Sequence, residues 1–74
     1  MKKKDFDIIV QLVANQLVGF LMEDYGMPML EAFDKTYNSQ IFHKLQDKNT
    51  GLYRRSAAYT YEYLKKELPE IHHA

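Results

Sequence analysis

From Asp5 to Tyr25 the apolar side chains Phe6, Ile9, Val13, Leu17, Phe20 and Leu21 recur at three- and four-residue steps. That spacing is the period of an α-helix and draws one broad apolar face. Ile8, Leu12 and Met22 lie outside the narrowest stripe, with Ala14 and Val18 near its edge, so the helix is apolar over more than half its circumference. Such a helix either has other helices wrapped around it or offers a second surface to a partner. Asp5 and Asp7 suit its positive end, and Gly26 is a natural left-handed stop. Met22 and Met27 are spaced for the hydrophobic contact of a Schellman turn. Glu23 and Asp24 sit in the last turn, where the dipole favours cations; as a solvated end they cost about a few tenths of a kcal/mol.

The rest of the chain supplies the companions. Helix two follows Pro28, with Leu30, Phe33 and Tyr37 as its expected inner face. Asn38-Ser39 offers a cap for a short third helix, "QIFHKLQ", with Ile41, Phe42 and Leu45 inward. "DKNTG" is a turn by composition. The stretch "YTYEY" places Tyr59, Tyr61 and Tyr63 at alternate positions, the period of a strand. No other segment reads as a strand, and a lone strand leaves its backbone groups unpaired. A helix capped by Ser56 instead puts Ala57, Tyr61, Leu64 and Leu68 on one face, with Tyr59 and Tyr63 on a neighbouring one. Pro69 ends it, and residues 69–74 read as a frayed tail. The expected fold is therefore all-α: a single small domain of about four helices, one long and N-terminal, two short, one C-terminal.

Composition narrows the function. A chain of 74 residues buries only about 60% of its unfolded surface, so its stability is thin. There is no cysteine to staple it, to act as a nucleophile or to bind zinc, which fits a cytoplasmic protein. Ten basic and ten acidic side chains leave no net charge, which argues against wholesale nucleic-acid binding and tolerates association. Lys2-Lys3-Lys4 before an apolar run resembles a leader, but Asp5, Asp7, Gln11, Asn15 and Gln16 interrupt it and no cleavage site follows. The first helix is read as soluble, with no membrane partner. No phosphate-cradling loop, nucleophile–base set or cofactor motif is present, so no enzyme and no cofactor is expected. His43, His72 and His73 lack metal-ligand spacing; a surface histidine and a tail account for them.

Two surfaces compete for a binding role. Helices two and three have a loose likeness to a helix-turn-helix, but "QIFHKLQ" offers only His43, Lys44 and glutamines to a groove. Arg54 and Arg55, the only arginines, lie between Tyr53 and Tyr59. Arginine and tyrosine are enriched in interface hot spots, and tyrosine adds contact area at little rotamer cost. Against this, Tyr53 could be core and the arginines merely solubilising. The candidate partner-binding residues are Arg54, Arg55, Tyr59 and Tyr63.

Residues 37–68 carry Ser39, Phe42, Leu45, Thr50-Gly51-Leu52-Tyr53, Ser56, Tyr59, Tyr61 and Leu64. This pattern resembles the C-terminal half of a family of short helical bacterial proteins of unassigned function. Their genes often sit beside larger ones resembling ADP-ribosyltransferase-like toxins. The resemblance implies an antitoxin-like partner and carries over no residue roles. The sequence thus points to a non-enzymatic interaction module that binds another protein, a toxin in particular. The alternatives are a small helix-turn-helix-like transcriptional regulator and a homo-oligomeric structural protein in which helix one meets its own copy.

Overall fold

The computed structural model describes residues 2–68. Four α-helices follow in order: α1 over Lys3–Tyr25, α2 over Met29–Tyr37, α3 over Gln40–Leu45 and α4 over Ala57–Lys66. Two single 3₁₀ turns, Lys48–Thr50 and Leu52–Arg54, link α3 to α4. Among the described residues there is no strand, and "YTYEY" is helical as its capping and its missing partner strand require. Pro69, the tail and His72 and His73 lie outside the described residues.

The helix ends follow local chemistry. Ser39 Oγ accepts from the Phe42 amide at 3.1 Å, and Ser56 Oγ accepts from the Tyr59 amide at 3.1 Å. Each removes one of the donors that the first turn of a helix cannot satisfy. Gly26 ends α1 at φ 67°, a left-handed conformation open to glycine without a Cβ penalty. Met27 behind it is buried, whereas Met22 stays 37% exposed. The "DKNTG" turn is pinned by Thr50, whose Oγ1 lies 2.7 Å and 2.8 Å from the Lys44 and Asp47 carbonyls.

The core runs along α1. Phe6, Val10, Val13, Ala14, Leu17, Val18 and Leu21 are buried, together with Ile41, Phe42, Leu45, Ala57, Tyr61, Leu64 and Leu68. The inward faces of α3 and α4 are those their periodicity indicates. On α1 the buried stripe is shifted from the expected one: Phe6, Val13, Leu17 and Leu21 are kept, Val10, Ala14 and Val18 join them, and Ile9 and Phe20 are half-buried. An all-round apolar helix has no single inward face of its own; its neighbours choose one.

The orientation of α2 corrects the sequence reading. Its buried residues are Ala32 and Thr36, not Leu30, Phe33 and Tyr37. Leu30 is 83% exposed, Phe33 is 37% exposed, and Tyr37 is half-buried. Two small side chains let α2 lie close on its neighbours and leave its large ones on the rim. There Phe33 and Tyr37 stack with ring centroids 5.0 Å apart, and the Tyr37 hydroxyl accepts from Gln11 Nε2 at 2.8 Å.

Two acidic helix ends are tertiary ties. Asp24 is not a bare solvated end: its Oδ2 accepts from the Tyr61 hydroxyl at 2.7 Å, joining the last turn of α1 to α4. Glu67, just beyond α4, accepts from the Gln40 and Ile41 amides, each at 2.8 Å. Its carboxylate closes the N-terminus of α3, where the dipole favours negative charge.

By length and composition α1 could cross a membrane, with a mean hydropathy of 1.4 over its apolar window; 39% of that window is buried within the fold.

Candidate functional site

The Ser56 cap sets the phase of α4. With Ala57, Thr60, Tyr61 and Leu64 inward, Tyr59 and Tyr63 face out, 40% and 41% exposed. They lie one turn apart and meet edge to face, with centroids 5.4 Å apart at 60° and hydroxyls 3.4 Å apart. Ile8, Leu12 and Met22 of α1 do not cover them; those side chains are themselves exposed.

Cations stand at both ends of the pair. The Arg55 guanidinium lies 5.1 Å from the Tyr59 ring centroid, and the Lys66 ammonium lies 5.1 Å from that of Tyr63. Each geometry is within reach of a cation–π attraction. The Tyr59 phenol is raised above its ordinary value, first by its hydrogen bond to Tyr63, then by the Tyr63 charge and burial, with Arg55 opposing. Tyr59 therefore meets a partner near neutral pH as an uncharged donor and acceptor.

The pair forms one wall of an open groove of about 230 Å³ between α3 and α4, shared with Ile41, Lys44, Thr50 and Leu52. Its lining is apolar and aromatic with one cation and no carboxylate, a surface suited to a side chain docked between charged rims.

Three of the four candidate residues come together: Arg55, Tyr59 and Tyr63. Arg54 turns away, donating from Nε to the Tyr53 hydroxyl at 3.0 Å. Tyr53 is half-buried and packs edge to face on Phe6 at 5.0 Å, so it belongs to the edge of the core. Sequence reasoning missed Lys66, Lys44, Ile41, Thr50 and Leu52 as parts of the site. Lys66 was open to discovery, being three residues from Tyr63 on the same helix. Lys44 was not, because only the packing of α3 against α4 brings it there.

Other sites offer less. A larger groove of about 340 Å³ is lined by Phe6, Asp7, Val10, Gln11, Tyr37, Phe42 and Gln46. It holds one carboxylate, that of Asp7, and one phenol, that of Tyr37, whose hydroxyl is already engaged by Gln11. Among the described residues no three His, Cys, Asp or Glu side chains gather as a metal site.

Fold and groove together define a small all-α domain with an exposed tyrosine–cation surface. No family model, no curated protein and no solved structure matches the chain.

Proposed function

We propose that this chain is a non-enzymatic protein-interaction module, the antitoxin-like partner of a toxin, and that it docks through the groove between α3 and α4. The single observation carrying the docking surface is the Tyr59–Tyr63 pair, held edge to face and flanked by Arg55 and Lys66. Two stiff aromatic side chains already in contact lose little entropy on binding, and their flanking cations add directional polar contacts. The choice of a toxin rests on the resemblance of residues 37–68 to the small partners of toxin genes.

The regulator reading is less well supported. The first amides of α3, the would-be recognition helix, are taken by the Glu67 carboxylate and by Ser39. A carboxylate at that end repels the phosphates that such a helix must approach. The buried row from Phe6 to Leu21 supports α1 as the core helix of a soluble domain.

The test is calorimetric titration of the protein with the catalytically inactivated product of an adjacent toxin-like gene. Tyr59→Ala and Tyr63→Ala should each weaken binding roughly 5- to 30-fold with the helical spectrum unchanged. Equal binding by the double variant would remove the groove from the reading. No binding by the wild type would remove the toxin.

A further inference from the structure

The zero net charge conceals a division of the chain. Between Asp5 and Asp34 there are six acidic side chains and no basic one; between Lys35 and Leu68 there are seven basic and three acidic. The fold makes two surfaces of this. At the tip of the hairpin formed by α1 and α2, Glu23 and Glu31 are exposed beside Met22, Met29, Leu30 and Phe33. At the groove between α3 and α4, Lys44, Arg55 and Lys66 are exposed around Tyr59 and Tyr63. None of Glu23, Glu31, Lys44, Arg55 and Lys66 forms a salt bridge among the described residues.

We infer that the groove also receives a second copy of this chain, which enters by its acidic hairpin tip with Leu30 foremost. This rests on the reading of the groove as a docking surface. Leu30, at 83% exposure, is the least covered large apolar side chain among the described residues. A groove of about 230 Å³ walled by Ile41, Leu52 and two tyrosine rings has room for it. Once it is seated, Glu31 and Glu23 meet the cationic rim, so apolar burial and charge pairing favour one orientation. Tip against tip or groove against groove would set like charges together. The contact is therefore heterologous: each copy keeps one open tip or groove, and association grows head to tail. With no net charge, long-range repulsion does not oppose it.

Sedimentation velocity on the full chain tests this. In about 50 mM NaCl the mean mass should rise between about 10 μM and 1 mM protein, and about 500 mM NaCl should weaken association at least about 10-fold by screening the rim pairs. Two variants, checked for helix content, separate the surfaces: Leu30→Ser with Glu31→Ser removes the tip, and Lys44→Glu with Lys66→Glu reverses the rim. Each alone should stay monomeric. Their equimolar mixture should form a 1:1 dimer that grows no further, because one intact tip and one intact groove remain. A wild type monomeric at 1 mM, growth persisting in either variant, or a mixture that stays monomeric would overturn self-docking. A monomeric wild type that still needs Tyr59 and Tyr63 to bind a toxin would overturn self-docking alone and keep the groove. A self-associating wild type whose toxin binding ignores those tyrosines would do the opposite.

Discussion

Tyr61 and the Tyr59–Tyr63 pair share one helix of ten residues, yet they do opposite work. Tyr61 turns inward. Its ring lies 4.9 Å from that of Phe20, and its hydroxyl reaches Asp24 at the far end of α1. Tyr59 and Tyr63 turn outward, bring their hydroxyls within 3.4 Å of each other, and remain a platform beside a groove. The residue type is the same and the positions alternate. What differs is the element opposite: a helix end carrying a carboxylate in one case, open space between α3 and α4 in the other. A tyrosine becomes a tie when a partner on another element satisfies its hydroxyl, and stays at the surface when none does.

The sharpest way to break this comparison is truncation. Tyr61→Ala should cost about 3–5 kcal/mol in urea unfolding at 25 °C, as for other large buried aromatics. That is a large share of the roughly 5–10 kcal/mol a small domain commands. Tyr59→Ala with Tyr63→Ala should shift Tm by no more than about 4 °C. If the outward pair proves as costly as Tyr61, the two faces of α4 are not different in kind.

A finer cut removes only the hydroxyl. Tyr61→Phe should cost about 1–2 kcal/mol, Asp24→Asn a similar amount, and the double variant clearly less than their sum, since both break one bond. Alkaline titration checks the same inward setting of Tyr61. Burial first, then the Asp24 hydrogen bond and charge, raise the Tyr61 phenol above its ordinary value. The folded chain therefore keeps this proton at a pH where the unfolded chain has lost it. The stabilisation is complete below about pH 10, where an unfolded tyrosine ionises, and is lost as pH climbs toward the folded value. Tyr61→Phe should flatten this alkaline fall; an unchanged slope would mean that Tyr61 is neither buried nor tied to Asp24.

The smallest expected effect concerns the inner face beside Tyr61. Thr60 is fully buried, and its hydroxyl has no partner among the described residues. Thr60→Val should raise stability by about 1 kcal/mol, because an unpaired buried hydroxyl costs more than the methyl that replaces it. A loss of stability on that substitution would show that the hydroxyl is satisfied and the inner face more polar than described.

Legibility differs in the same way across the molecule. The four helices, the Ser39 and Ser56 caps, the Gly26 stop and the inward faces of α3 and α4 follow from interactions spanning a few residues. A cap acts over three positions, and a helix repeats every 3.6, so neighbours in sequence carry that information. The outward phase of Tyr59 and Tyr63 is legible for that reason. The groove beside them is not, because Lys44, Thr50 and Leu52 reach it only when α3 and the 3₁₀ turns pack on α4.

By itself, then, the sequence determined which segments are helical, where they begin and stop, and which tyrosine of α4 faces in. Only the tertiary structure decided which part of the all-round apolar α1 is buried, and that α2 turns Ala32 and Thr36 inward while Leu30 stays outside. It also decided the roles of Asp24 and Glu67, whose partners lie 37 and 26–27 residues away in the chain. Each of these acids sits at the wrong end of its own helix for the local dipole. A carboxylate so placed is tolerable when solvated and useful when a distant donor reaches it, and local sequence carries no record of which donor arrives.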